Sequence, residues 1–127
     1  MTQIKRWIEV PFQKEGLHYY PGADTAPDLA TGDEYDVSFL GREHFHYFYF
    51  TVRIEVFTNN RDLEFIQFRR WLEKLYSDSV LTLNHKSCEM MSEDLFAKIN
   101  EKWPNRDVVI SVAEDNINRA IVEFTKE

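Results

Sequence analysis

Four histidines stand in this chain of 127 residues, and two of them, His44 and His46, are separated by one residue. On an extended strand, positions i and i+2 leave the same face with Cα atoms roughly 6 to 7 Å apart. Both rings can therefore reach one metal ion. Zinc takes imidazole nitrogens at about 2.0 to 2.1 Å, and a catalytic zinc has three protein ligands with a fourth position open to water or substrate. His18, on another extended segment, is the candidate for the third. A His-x-His pair alone is a weak signal and reads first as two strand-end histidines with ordinary hydrogen bonds, so the elements around it matter.

His44 opens the clearest strand in the chain. From His44 to Phe57 the residues alternate, with His44, His46, Phe48, Phe50, Val52, Ile54 and Val56 on one face and Tyr47, Tyr49, Thr51, Arg53 and Glu55 on the other. An earlier strand is expected from Arg6 to Phe12, resuming through Leu17-His18-Tyr19-Tyr20, with Pro11 restricting it to an edge or a bulge. Residues 21–36 hold Pro21, Gly22, Pro27 and Gly32 among Asp and Thr and read as a long loop. After a turn at Thr58-Asn59-Asn60-Arg61, the spacing of Phe68, Trp71, Leu72 and Leu75 predicts a helix over about 65–76. Residues 77–91 read as irregular. Ser92 followed by Glu93 and Asp94 predicts a second helix start, running to Trp103 before Pro104. Asp107–Ala113 and Asn118–Thr125 read as two strands joined by Glu114-Asp115-Asn116-Ile117.

Composition narrows the function classes. The length suits a single domain spanning 1–127. A formal charge of -7 argues against nucleic acid, which is bound by clustered Lys and Arg, and points to a small ligand or another protein. No apolar stretch approaches the roughly 18 to 20 residues of a membrane span. One cysteine, Cys88, excludes an internal disulfide framework and suits a reducing compartment, so a cytoplasmic location is expected. Ten Phe and six Tyr imply stacked or packed rings.

Read in order, the segments resemble the 6-pyruvoyltetrahydropterin and 6-carboxytetrahydropterin synthase family along almost the whole chain. That family carries a first-strand histidine, matched by His18, and a His-Gly-His-Asn-Tyr type motif, matched by His44-Phe45-His46-Tyr47-Phe48. Its Met-Asp-Phe segment resembles Leu63-Glu64-Phe65, and its Leu-Asp-His-Lys segment resembles Leu83-Asn84-His85-Lys86. Its Thr-Ala-Glu-Asn-Leu helix start resembles Met91-Ser92-Glu93-Asp94-Leu95, and its Val-x-Glu-Thr strand resembles Val112-Ala113-Glu114-Asp115. The resemblance implies zinc held by His18, His44 and His46, a pterin ring anchored by Glu114, and His85 as the proton carrier. A carboxylate suits the anchoring task, because it accepts two parallel hydrogen bonds from a guanidine-like edge. Without the resemblance Glu114 reads as a solvated strand-end acid and His85 as an ordinary loop histidine.

The resemblance also shows where the chain departs. The family's catalytic cysteine, four residues before the motif, is Leu40 here; the glutamate some relatives place three residues before it is Gly41. Glu43 directly precedes His44 and projects to the opposite face. Cys88, in the segment after His85, is a further candidate for the catalytic set and reads otherwise as a small buried thiol. Asn84 replaces the aspartate that supports the histidine: its amide still accepts the imidazole N–H but does not stabilise an imidazolium.

The fold implied is an α+β tunnelling fold, an antiparallel four-stranded sheet with two helices on one face, oligomerising as trimers or hexamers into a barrel that pairs exposed strand edges. The activity implied is a zinc-dependent lyase acting on 7,8-dihydroneopterin triphosphate or a related pterin. The alternative is a catalytically weakened relative that binds a pterin or purine without turnover.

Overall fold

The computed structural model describes residues 1–19, 44–76, 80–84 and 86–127, the side chains of His18, His44 and Thr82 excepted. The loop expected over 21–36, and Leu40, Gly41, Glu43 and His85, lie outside the described residues. The element order is β1 (Arg6–His18), β2 (His44–Val56), α1 (Phe65–Leu75), β3 (Val80–Asn84), α2 (Cys88–Lys102), β4 (Val108–Glu114) and β5 (Asn118–Phe124).

The chain is α+β, with one five-stranded sheet in the order β3-β1-β2-β4-β5. Strands β1, β2, β4 and β5 are antiparallel, as expected for four strands. The expectation of a purely antiparallel, four-stranded sheet is corrected by β3, which pairs parallel with the last residues of β1. Residues 80–84, read from the sequence as irregular, are that strand.

β1 runs without a break through Pro11, which pairs with Thr51 of β2. Its other edge carries β3 over Glu15–His18, so among the described residues Pro11 lies where no second ladder needs its missing N–H. The alternation in β2 lands as expected: Phe48, Phe50, Val52, Ile54 and Val56 are buried. Their partners Val10 and Phe12 on β1, and Val108, Ile110 and Val112 on β4, share that face and pack under both helices.

Helix α1 starts at the N-cap Glu64, whose carboxylate accepts the Gln67 N–H at 2.7 Å. It buries Phe68 and Leu72. Helix α2 begins five residues earlier than expected. Ser87 is its N-cap, accepting the Met90 N–H at 3.1 Å. Ser92 is instead fully buried inside the helix, where its hydroxyl donates to the Cys88 carbonyl at 3.0 Å. The aromatic content goes into packing: Phe12 stacks on Phe50 at 4.6 Å, Phe96 on Phe124 at 4.1 Å, and Phe68, Trp71 and Trp103 meet where the two helices end and begin.

An ionic network closes one end of the sheet. Buried Glu55 accepts from Lys126 Nζ at 2.6 Å and from the Asp107 N–H at 3.1 Å, and Asp107 pairs with Lys5. Arg106 joins Asp62 at 2.8 Å and the Glu55 carbonyl at 3.0 Å. Both chain ends are thereby tied to one edge of the core. The candidate site lies at the other end.

Candidate functional site

Strand register decides which of the chemically capable residues meet. His18 on β1 is the direct partner of His44 on β2, and His18 also pairs with Asn84 on β3. His46 is the partner of Gly16, and Phe48 that of Glu114 on β4. Directly opposed antiparallel residues have Cα atoms about 4.5 to 5.5 Å apart and project to one face. The backbones of His18, His44, His46, Asn84 and Glu114 thus lie at one end of the sheet.

Gly16 makes room there. A Cβ at this position would stand 2.9 Å from Cε2 of Phe48 and 3.0 Å from Cδ1 of Leu83. The Phe48 ring is fully buried and meets the His46 ring edge-on at 5.9 Å, so a side chain at 16 would press on the imidazole's support.

His46 is held by the hairpin between β4 and β5. Its Nδ1 lies 2.5 Å from Oδ2 of Asp115, and its Nε2 lies 3.5 Å from Oε2 of Glu114. The other Asp115 oxygen accepts the Tyr47 N–H at 3.0 Å, and the Asp115 N–H donates to the Tyr47 carbonyl at 2.8 Å. Asp115 can do this because it opens a tight turn: Asp115 and Asn116 have φ of 52° and 57°, and Ile117 N–H closes on the Glu114 carbonyl at 3.1 Å. Asp and Asn are the residues that best tolerate this left-handed region after glycine.

Glu114 also meets Cys88. The thiol donates to Oε1 of Glu114 at 3.8 Å from the first turn of α2. Burial, with the neighbouring charges of Glu114 and Glu89 adding to it, pushes the Cys88 thiol up to about 12. Cys88 is therefore a protonated donor across the neutral range, and not a thiolate base. Asn84 ends β3 with φ of 54°, and its carbonyl accepts the Tyr19 N–H at 2.8 Å. It turns the chain at the end of β3; His85 follows it in sequence and lies outside the described residues.

The structure therefore brings together the backbones of His18, His44 and Asn84 with the side chains of His46, Cys88 and Glu114. Asp115 is the contact missed in reading the sequence. An Asp-Asn pair at a hairpin tip signalled the turn, but only the β2–β4 pairing places that carboxylate beside His46.

Among the described residues, no group of three His, Cys, Asp or Glu side chains is arranged to hold a metal ion. Of the three expected ligands only the His46 side chain is described, and its surroundings fit that role. Its Nδ1 lies against the Asp115 carboxylate, which is how ligating imidazoles are usually oriented, its Nε2 is 3.5 Å from that of Glu114, and the backbones of His44 and His18 are register neighbours at that strand end. An open groove of about 800 Å³ lies at the opposite end of the sheet, between Arg6–Ile8, Val56 and residues 58–66. Among the described residues, no histidine or cysteine lines it.

Comparison of the chain with models of known protein families finds no match, and comparison with curated proteins finds none. Among the described residues, no helix is long and apolar enough to cross a membrane.

Proposed function

We propose that the chain is a zinc-dependent protein of the pterin synthase type, acting on 7,8-dihydroneopterin triphosphate or a related pterin. The observation that carries this reading is the register that sets His18 against His44 and brings His46 beside Glu114 at one sheet end. In this reading His18, His44 and His46 hold the zinc. The bound ion supplies Lewis-acid polarisation of the hydroxyl and carbonyl oxygens of the substrate side chain.

The chain's own residues divide the remaining work. Glu114 accepts the ring N–H and exocyclic amine of a guanidine-like edge, and the Cys88 thiol bonded to it orients its carboxylate. His85 carries protons, with Asn84 beside it as a neutral acceptor. Among the described residues β3 and β5 are the outer strands of the sheet, which supports assembly as a trimer or hexamer that closes a barrel.

A second reading, binding without turnover, draws support from one specific observation: Cys88, the one cysteine of the chain, is protonated at neutral pH, and Leu40 and Asn84 supply neither a base nor a charge. Incubating the zinc-loaded protein with 7,8-dihydroneopterin triphosphate and following products by mass spectrometry separates the two. Release of triphosphate or side-chain cleavage supports the synthase. Tight binding of intact pterin supports the second reading, and neither binding nor product overturns both.

A further inference from the structure

The carboxylate of Asp115 does two things at once: one oxygen takes the backbone N–H of Tyr47 at 3.0 Å, and the other meets Nδ1 of His46 at 2.5 Å. The same residue's N–H returns to the Tyr47 carbonyl at 2.8 Å, so the acid is clamped to the β2 backbone one residue beyond the imidazole it touches. A side chain held at its backbone, its turn and its carboxylate has little freedom to drift. A carboxylate accepts and cannot donate, so Nδ1, 2.5 Å from Asp115, carries the proton of that contact, and Nε2, farther from a carboxylate at 3.5 Å from Oε2 of Glu114, is the nitrogen that can ligate a metal ion.

We propose that Asp115 is a positioning residue that fixes His46 in its Nδ1–H form and so sets Nε2 as the metal-facing atom. This rests on the zinc reading above, and it adds a residue outside the three histidines to the determinants of zinc affinity. Outer partners of this kind are worth roughly 10- to 100-fold in metal affinity.

Two variants separate positioning from folding. Asp115→Asn keeps a residue that tolerates the positive φ and can still accept the Tyr47 N–H, while removing the charge. Asp115→Ala removes the carboxylate altogether. Zinc affinity is measured for the whole chain by competition with a chromophoric chelator, and the His46 tautomer is read in the metal-free protein at pH 8 by long-range proton–nitrogen NMR. The expected result is a loss of about 10- to 100-fold in zinc affinity for Asp115→Ala, a smaller loss for Asp115→Asn, and a shift of His46 away from the Nδ1–H form in Asp115→Ala. Unchanged affinity in Asp115→Ala, with the unaltered chain binding zinc, overturns the proposal. If the unaltered chain binds no zinc, the zinc reading itself fails; an Nε2–H tautomer of His46 in that protein overturns the role of Asp115 independently.

Discussion

The ionisation of Cys88 gives a sharp test of the site's electrostatics. The thiol is buried, and Glu114 stands 3.8 Å from its sulfur, so both desolvation and a like charge resist formation of the thiolate. A reference thiol at 9.0 is about one-tenth ionised at pH 8, whereas a thiol at about 12 is ionised in roughly one molecule in ten thousand. Because alkylation proceeds through the thiolate, native Cys88 should react with iodoacetamide about a thousandfold more slowly than in the denatured chain at pH 8, before any steric protection is counted. Steric protection alone would slow the rate without moving its pH dependence. The discriminating observation is therefore the profile: between pH 7 and 10.5 the native rate should climb about tenfold per unit with no plateau. Glu114→Gln removes one charge but leaves the larger cause, burial, so it should lower the thiol's value while keeping it above 9.0. A native profile that levels off at or below pH 9, or a Glu114→Gln variant that titrates higher than the unaltered protein, would refute the reasoning. The same shift carries a stability consequence. The unfolded thiol ionises near 9.0 and the folded one near 12, so stability intact below pH 9 is lost as pH rises through that window.

Three further outcomes are expected. Gly16→Ala should lower stability by about 1 to 3 kcal/mol in urea unfolding, because the new methyl meets the buried Phe48 ring, and a change near zero would mean the ring yields freely. Ser87→Ala should cost about 0.5 to 2 kcal/mol while Ser92→Ala leaves helix content unchanged, as judged by circular dichroism; the reverse order would place the start of α2 at Ser92. The bonds from Arg106 and from the Phe57 N–H hold Asp62 below its ordinary 3.8, so its contribution is complete above that value and is lost as pH falls below it. Acid unfolding of Asp62→Asn should accordingly show a shallower fall in stability below pH 3.8 than the unaltered chain.

What the sequence disclosed depended on how local each signal is. Strand β2 was legible because seven alternate positions from His44 to Val56 share a face, and five of them, Phe48 to Val56, are buried. The β4–β5 hairpin was legible because two apolar runs flank Asp115-Asn116. Strand β3 was not. Val80-Leu81-Thr82-Leu83 is short, and its parallel partner Glu15–His18 lies more than sixty residues away, so nothing nearby in the chain announces the pairing. The start of α2 was ambiguous for a different reason: Ser87 and Ser92 are both followed by acids, and only burial of Met91 and Ser92 against the sheet decides between them. For the site, the spacing of His44 and His46 and the position of Glu114 were readable, but the clamp by Asp115 depends on which strand lies beside the turn. That is tertiary information.

The central claim is that His18, His44 and His46 form one zinc site. Elemental analysis of the purified chain after zinc loading and removal of loosely held ions, repeated for His18→Ala, His44→Ala and His46→Ala, tests it most directly. One zinc per chain is expected in the unaltered protein, and its loss in each variant, with the secondary structure retained. A chain that holds no zinc, or one whose zinc survives all three substitutions, would contradict it.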